Sequence, residues 1–490
     1  MFSTRPFSLW LAGSAFLLFC LSVAGMIAAG APQPSGEDLF WIGPAIGLLR
    51  TGQLINPYTQ PWIADFGTPY FYVHGPVYFY FLSGWFHLFG VSTASILVFH
   101  WLLCCLAGLC LVVFLGRINV PAYVRFLVAT LFIFCFGKDL RPEPLACVLA
   151  FGALLVWEPQ SVGWKTFFSV FLMGLSILTY PLALGFIPPF LLLLSLNEGV
   201  PVWQYWKKRL AVTFAAGLAV TGALSIMVNG QIAQFLQVLL MHRNLRATGL
   251  PGALPRFWES ITEYNEWVLT APCFLLFGLV AIFACFFRSI DPKVRNLVAC
   301  CSLAIFLSLL LYPEYARTPG QVLALISVLT FCHSVMHQRL RWMIAVLGVL
   351  MIAQLQFLLL LRLWNQNPPS VTNIESVRDR LRATRKRICL DGAVARYVFD
   401  YRLPANATSF LYGMAGRDGN SKLPPTCIHD VSLKSEDEVW AASQLVFIVN
   451  DGSDAIHGLP AEFYRYEPLR VFGRSFNSIP KQPFNLLIFE

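Results

Sequence analysis

Charged residues are scarce in this sequence. Asp, Glu, Lys and Arg make up 12% of the 490 residues, whereas hydrophobic residues make up 57%. Soluble globular proteins carry about 25% charged residues, and a soluble chain of this length would divide into several domains with charged surfaces. The composition therefore argues against a soluble cytoplasmic enzyme and favours a protein embedded in a membrane.

Zinc-site and nucleic-acid-binding patterns are also missing. The 13 cysteines include no CxxC pair, and eleven of them fall in apolar segments, where a free Cys behaves as a small hydrophobic residue. No DNA- or RNA-binding motif accompanies the net charge of +9, so no nucleic-acid partner is expected. In a membrane protein such a charge is explained by Lys and Arg in the loops beside the bilayer.

Long apolar runs, in contrast, are plentiful. A full membrane crossing takes about 20 residues, and the first run is followed by Ala29-Gly30-Ala31, a sequence that suits cleavage of a signal peptide. That run is long for a signal peptide, so we expect a retained anchor. The eleven segments predicted to cross are 9–29, 92–116, 122–137, 142–157, 164–180, 182–197, 210–229, 269–287, 296–312, 321–336 and 342–361.

The apolar and aromatic segment 76–90 decides the predicted topology, because it would add a twelfth crossing. Up to residue 361 the chain has nineteen Lys and Arg. If 76–90 does not cross, twelve of them face the cytoplasm and seven face outside, and if it crosses the numbers reverse. The positive-inside rule favours the first arrangement, so we predict that 76–90 is a helix lying near the interface.

The predicted fold is an all-α polytopic membrane protein with about eleven transmembrane helices and a cytoplasmic N-terminus. Residues 1–363 form the transmembrane domain, which has a first external loop at 30–91. Residues 364–490 form a small extracytoplasmic α/β domain, in which two apolar runs, 445–449 and 486–489, predict buried strands. In this domain Cys389 and Cys427 either form a disulfide or are two unrelated thiols.

Charged groups near lipid are expensive and tend to be functional, and here they gather on the predicted outer face. Glu37 and Asp38 precede an apolar helix that ends at Gly52, and the helix dipole favours their ionised forms. Helix capping explains the same pattern. His74 lies in an aromatic turn, where it could bind a phosphate or donate a proton, although a structural role is the alternative.

The later outer loops carry further candidates. Glu143 opens an apolar helix directly after Arg141, so either Arg141 neutralises it in an ion pair or both side chains face a polar site. His242 and Arg243 in the third external loop, and Arg317 near a later helix end, suit a phosphate group. A solvated basic patch or contact with anionic lipid is the alternative for these cations.

Three motifs, in this order and on one predicted side of the membrane, resemble the GT-C superfamily of integral-membrane glycosyltransferases. That superfamily includes the protein O-mannosyltransferases and the lipid A aminoarabinose transferase. The resemblance covers roughly residues 1–200. Its motifs are Asp38 with Leu48-Leu49-Arg50-Thr51-Gly52, then Gly75-Pro76-Val77-Tyr78 to Leu88-Phe89-Gly90, then Arg141-Pro142-Glu143-Pro144-Leu145.

The resemblance implies a glycosyltransferase that moves a sugar from a polyprenyl-phosphate donor to a glycan, lipid or protein acceptor. It implies Asp38 as general base, or Glu37 if the match is shifted by one residue, and Glu143 as metal ligand or orienting carboxylate. Asp38 and Glu143 could hold Mg or Mn, the one cofactor suggested. The donor phosphate would be bound by cations drawn from His74, Arg141, His242, Arg243 and Arg317.

The sequence leaves two functions open besides glycosyl transfer. A transporter or flippase of a lipid-linked sugar predicts a repeat between two halves and broken or charged helices at the midplane, but the sequence shows no repeat. A non-catalytic scaffold would need neither Asp38 nor Glu143. The expected location is a bacterial inner membrane, with the active site facing the periplasm.

Overall fold

The helical part of the chain accounts for most of the described structure. The computed structural model describes residues 4–28, 31–32, 38–59, 63, 66–137, 139–158, 162–197, 202–246, 255, 270–286, 290–311 and 313–335. In the C-terminal part it describes 378–379, 382, 388–390, 395–396, 399–405, 407–409, 445–447, 466–471, 474–480 and 487–489.

Within these ranges the chain forms thirteen helices. They are α1 (Thr4–Ala28), α2 (Asp38–Thr51), α3 (Val77–Phe89), α4 (Thr93–Arg117), α5 (Ala122–Gly137), α6 (Glu143–Val156), α7 (Trp164–Thr179), α8 (Ala183–Asn197), α9 (Val202–Met227), α10 (Ile232–Arg246), α11 (Thr270–Phe286), α12 (Pro292–Leu311) and α13 (Pro313–Val335). Helices occupy ten of the eleven segments predicted to cross the membrane, and the eleventh, 342–361, lies outside the described residues.

Four of these helices are long and apolar enough to cross a membrane. Judged by length and composition, the four candidate spans within the described ranges are Trp10–Ala28, Thr93–Arg117, Arg209–Met227 and Pro292–Leu311. The described ranges also contain seven shorter apolar helices. On α9, Leu210, Phe214 and Leu218 follow one another at every fourth position, and each is more than half exposed. A continuous exposed apolar row suits lipid rather than water. These features indicate a helical membrane protein.

Six short strands lie in the C-terminal part that the structure describes: β1 (Ile388–Leu390), β2 (Ala407–Ser409), β3 (Leu445–Phe447), β4 (Tyr466–Val471), β5 (Arg474–Pro480) and β6 (Leu487–Phe489). One sheet has the order β2-β1-β3-β6, with parallel pairing on both sides of β1 and antiparallel pairing of β3 with β6. β4 and β5 form an antiparallel pair. β3 and β6 fall within the apolar runs from which strands were predicted.

The chain divides into two compact units. The first, called the helical unit, comprises residues 1–28, 102–137 and 142–359, and the second, called the loop unit, comprises residues 29–101, 138–141 and 360–490. In the helical unit α6 packs on α7, α8 on α12, and α1 on α5. In the loop unit α2 packs on α3. The segment 76–90 falls within the loop unit, and its position near the interface stays a prediction.

Basic side chains gather at the C-terminal end of α6 in the helical unit. Arg117 Nη1 donates hydrogen bonds to the carbonyl oxygens of Leu154 (2.8 Å) and Leu155 (3.0 Å). Arg209, which is 2% exposed, donates from Nη2 to the Glu158 carbonyl oxygen at 2.8 Å. Helix C-termini leave carbonyl groups without intrahelical donors and carry a partial negative charge. Arg117 therefore satisfies carbonyl groups of the last turn of α6, and Arg209 bonds the chain two residues beyond the end of the helix.

The same end also carries an ion pair. Lys165 Nζ lies 2.5 Å from Glu158 Oε2, and this contact lowers the pKa of the exposed Glu158 carboxyl. Three basic residues therefore lie at the same end of the helical unit: Arg117, Lys165 and Arg209. The predicted topology places all three on the cytoplasmic side. Glu143 begins the same helix, so it lies at the opposite end, about 20 Å away along the 14-residue helix.

Candidate active site

Asp38 is a buried carboxylate in the loop unit. It is the first residue of α2 and is 1% exposed. The hydroxyl of Tyr401, which is also 1% exposed, donates a hydrogen bond to Asp38 Oδ2 at 2.6 Å. The α2 dipole favours negative charge at this position. The carboxylate is thus fixed by a residue 363 positions away in sequence.

The first turns of α2 are held by Asn56. Pro44 lies inside the helix and has no N–H, so the Phe40 carbonyl oxygen lacks its usual intrahelical donor. The fully buried Asn56 compensates, because its Nδ2 donates to the carbonyl oxygens of Leu39 (3.1 Å) and Phe40 (3.4 Å). Asn56 Oδ1 accepts from the Tyr58 backbone N–H at 3.0 Å. The loop after α2 is therefore anchored directly behind Asp38.

Two glycines let this loop lie close against α2. A Cβ built on Gly43 would overlap the Asn56 side chain, and one built on Gly47 would overlap the Ile55 carbonyl oxygen. Gly52, with φ of 70°, ends the helix in the left-handed region that glycine adopts without strain. The predicted helix stop at Gly52 is confirmed.

We expect Gly47→Ala to destabilise the loop unit. The added Cβ meets backbone at Ile55, and overpacking of this kind costs about 1–3 kcal/mol of unfolding free energy. Gly84→Ala in α3 is the matched control, because a Cβ there meets nothing within 4 Å, and Ala is favoured over Gly in a helix. Thermal unfolding in detergent, followed by circular dichroism, should show a lower midpoint for Gly47→Ala only. Equal midpoints for the two variants would contradict the close packing at Gly47.

His74 lies in an aromatic cluster beside the first turn of α2. Its ring centroid is 5.2 Å from that of Phe40, 4.6 Å from that of Trp41 and 6.4 Å from that of Phe71. Phe40 and Trp41 follow Asp38 by two and three residues. These ring contacts hold the imidazole against the first turn of α2. Its predicted contact with the donor phosphate stays a prediction.

Other phenols of the first loop remain protonated at neutral pH. Burial raises the pKa of Tyr58, an effect partly offset by the charge of Arg50 and a hydrogen bond to it. Burial, together with Tyr70 and Tyr80, raises the pKa of Tyr72 to about 12. Phenols with such pKa values act as hydrogen-bond donors at neutral pH and not as bases.

A C-terminal segment, residues 395–402, contacts the first loop at several points. The buried Arg396 donates from Nη1 to the Pro32 carbonyl oxygen. Asp400 Oδ1 accepts from the Thr93 backbone N–H at 2.6 Å, which places a carboxylate at the start of α4. Arg402 Nε donates to the Val91 carbonyl oxygen at 3.1 Å. Tyr401 therefore reaches Asp38 from a segment tied to both ends of the loop.

The helical unit contains the second predicted acid, Glu143, which is 6% exposed. Pro142 precedes it and Pro144 follows it in the first turn of α6, where proline is tolerated because the N–H groups have no helical acceptor. Glu143 lines a pocket that lies within the helical unit. The other lining residues are apolar or aromatic: Phe132, Phe136, Ala146, Cys147, Phe151, Tyr180, Leu182, Ala183, Phe186, Phe190, Pro319, Val322 and Leu323.

The remaining predicted phosphate-binding residues are spread over both units. In the loop unit Arg141 Nε lies 3.9 Å from Asp139 Oδ2, so a carboxylate two residues earlier in the sequence forms an ion pair with it. In the helical unit His242 is buried on α10, and Arg243 and Arg317 lie on α10 and α13, with side chains that are not described. Glu37 lies outside the described residues. The role of these residues in binding the donor phosphate stays a prediction.

A divalent cation shared by Asp38 and Glu143 stays a prediction. The two carboxylates belong to different units. Among the residues that the structure describes, His, Cys, Asp and Glu form no group of three or more that could hold a metal ion.

No sequence pattern pointed to Tyr401, Arg396 or Asn56. Each makes contacts 16 or more positions away in sequence. No local spacing predicts such contacts, and a Tyr or Asn in a polar stretch is ordinary. Pro44 was the one available signal, because a proline within a helix leaves a carbonyl oxygen that another side chain has to satisfy.

No protein-family model matches the chain, and no curated protein matches it significantly. Any functional assignment therefore depends on the residues described above and on the motif resemblance in residues 1–200.

Proposed function

We propose that this protein is a membrane glycosyltransferase that transfers a sugar from a polyprenyl-phosphate donor to an acceptor hydroxyl outside the cytoplasm. The observation that carries the proposal is the buried Asp38 carboxylate at the start of α2, held by the Tyr401 hydroxyl at 2.6 Å. Such a carboxylate suits a general base, because its position is fixed before substrate arrives.

In the proposed reaction Asp38 accepts the proton of the acceptor hydroxyl. The acceptor oxygen forms a bond to the anomeric carbon, and the bond from that carbon to the phosphate oxygen breaks. The electron pair leaves with the polyprenyl phosphate, whose negative charge requires cationic stabilisation. His74, which lies in the aromatic cluster near Asp38, is the cation best supported for this role.

The pocket at Glu143 supports a lipid-linked donor. Its lining is almost wholly apolar and aromatic, with one carboxylate at the start of α6. An isoprenoid chain buries well against such a lining, whereas a free nucleotide sugar would leave its charges unsatisfied. Glu143 would orient a polar part of a substrate at the end of this pocket.

The proposal includes the full predicted topology. About eleven helices would cross the membrane, with residues 364–490 forming an α/β domain on the outer side. The shared basic end of the helical unit supports this orientation, because Arg117, Lys165 and Arg209 would then face the cytoplasm and Glu143 the outside. The proposed location is a bacterial inner membrane with a periplasmic active site.

Transfer can be tested with purified protein in vesicles. The probes are undecaprenyl phosphates carrying radiolabelled hexoses or aminoarabinose, and the acceptor is an extract of envelope glycans and lipids. The proposal predicts label in the acceptor fraction together with released undecaprenyl phosphate. If the labelled lipid instead crosses the vesicle bilayer and the sugar stays attached to it, the protein is a flippase and the proposal is wrong.

We expect Ala146→Leu to weaken binding of the donor. Ala146 lines the pocket next to Glu143, and three added carbons would occupy the space proposed for the isoprenoid chain. Gly152→Leu on the same helix is the matched control, because a Cβ there meets nothing within 4 Å. The KM for the donor should rise about tenfold or more in Ala146→Leu, a loss of roughly 1.4 kcal/mol of binding, and stay near wild type in Gly152→Leu. The same KM in both variants would show that the isoprenoid chain of the donor binds elsewhere.

A further inference from the structure

The segment that carries Tyr401 adopts an unusual backbone conformation. Asp400 and Tyr401 have φ of 50° and 57°, and neither is glycine. Non-glycine residues adopt this left-handed region at a cost and keep it when the surrounding contacts determine it. Two consecutive residues of this kind, one of them a bulky aromatic, indicate that the chain is constrained to present the Tyr401 side chain.

The constraining contacts lie on both sides of Tyr401. Its own N–H donates to the Ala395 carbonyl oxygen at 2.7 Å. The preceding Asp400 side chain accepts from the Thr93 N–H, and the following Arg402 side chain donates to Val91. The direction of the Tyr401 ring is therefore set by contacts with the same first loop that carries Asp38.

The hydroxyl contact can influence Asp38 without blocking it. An ionised carboxylate has about four lone-pair sites, so a bond from Tyr401 to Oδ2 leaves capacity for an acceptor hydroxyl. A donor to the charged form favours that form. At 1% exposure for both residues, water is a poor substitute for the phenol as the donor at this oxygen.

We propose that Tyr401 is a positioning residue for glycosyl transfer: it orients the Asp38 carboxylate through the hydrogen bond to Oδ2. This inference rests on the proposed function of Asp38 as general base. It gives the C-terminal part of the chain a role in the reaction, because residue 401 follows the last predicted span. Loss of the Tyr401 hydroxyl should then lower kcat, because it affects the general base Asp38, and should leave binding of the donor unchanged.

Tyr401→Phe tests the inference, since it removes one oxygen and keeps the ring. We expect kcat to fall about 10- to 100-fold, the effect of losing a hydrogen bond to a charged group, with little change in the donor KM. The acidic limb of the pH–rate profile should move to higher pH, because a carboxylate that loses a donor is protonated more readily. Tyr58→Phe is the matched control, because Tyr58 is equally buried in the loop unit and loses the same phenolic oxygen.

Two further variants separate positioning from a structural role. Adding Tyr401→Phe to Asp38→Asn should cause no further loss, because Tyr401 acts through the carboxylate. 3-Fluorotyrosine at position 401 keeps the shape of the side chain and carries a more acidic hydroxyl. It should therefore move the acidic limb to lower pH even if Tyr401→Phe fails to fold.

The outcomes distinguish this inference from the proposed function. If Asp38→Asn is inactive while Tyr401→Phe and the fluorotyrosine variant keep the wild-type kcat and pH profile, the inference is wrong and the function stands. If Asp38→Asn is fully active, the proposed function fails. An additive loss in the double variant would assign Tyr401 a role independent of Asp38 and would also overturn the inference.

Discussion

Asp38→Asn should reduce sugar transfer by about 10²- to 10⁴-fold, the range that one positioned acid–base group contributes. Asparagine has nearly the shape of aspartate, and its amide oxygen can still accept the hydrogen bond that Tyr401 donates at 2.6 Å. It cannot accept the proton of the acceptor hydroxyl. The loss should therefore appear in kcat, with the donor KM and the unfolding midpoint close to those of wild type.

Asp291→Asn is a matched control for that result. Asp291 also lies at a helix start, where its Oδ1 accepts from the Lys293 N–H at 2.9 Å, but it is exposed and belongs to the helical unit. Asparagine caps helices as well as aspartate does, so this variant should transfer sugar at the wild-type rate. An equal loss in both variants would point to a general effect of charge removal rather than to a base at position 38.

Glu143→Gln should reduce transfer by about 10²-fold, the lower end for a single positioned catalytic group. Glu143 is 6% exposed at the start of α6 and lines the apolar pocket. Glu143 is the one carboxylate of the lining, and glutamine keeps its size without its charge. The expected effect is therefore on the orientation of a bound substrate, with the pocket intact. Initial rates at saturating donor measure it.

The control for Glu143 comes from the other end of the same helix. Glu158 is exposed and pairs with Lys165, so Glu158→Gln removes a carboxylate close to α6 that is remote from the pocket. It should leave the transfer rate unchanged. Wild-type activity in Glu143→Gln would limit Glu143 to a structural role at the helix start.

The helical part of the fold was largely predictable because burial in lipid leaves a strong local signal. A run such as 92–116 has to be apolar throughout, and α4 (Thr93–Arg117) follows it closely. The sequence signal for the end of α2 was equally local, because Gly52 adopts a positive φ directly after the last turn. The helix before α11 was harder to predict, because α10 (Ile232–Arg246) mixes apolar and polar residues within the third predicted external loop.

The surroundings of Asp38 depend instead on contacts between distant parts of the chain. The sequence predicted Asp38 at the start of a helix, which the structure places there, but its role stays a prediction. Tyr401 could not be found in this way, because its hydrogen bond depends on a left-handed backbone at Asp400 and Tyr401 and on contacts with Val91 and Thr93. Such contacts carry no local periodicity.

The most direct test of the account is a comparison of wild type and Asp38→Asn in sealed, right-side-out vesicles. Radiolabelled undecaprenyl-phosphate sugar and envelope acceptor are supplied from the outside, and label in the acceptor fraction is measured together with released undecaprenyl phosphate. We predict transfer by the wild type and a loss of about 10²-fold or more in Asp38→Asn. Equal transfer by both proteins, or transport of the intact lipid-linked sugar without transfer, would contradict the account.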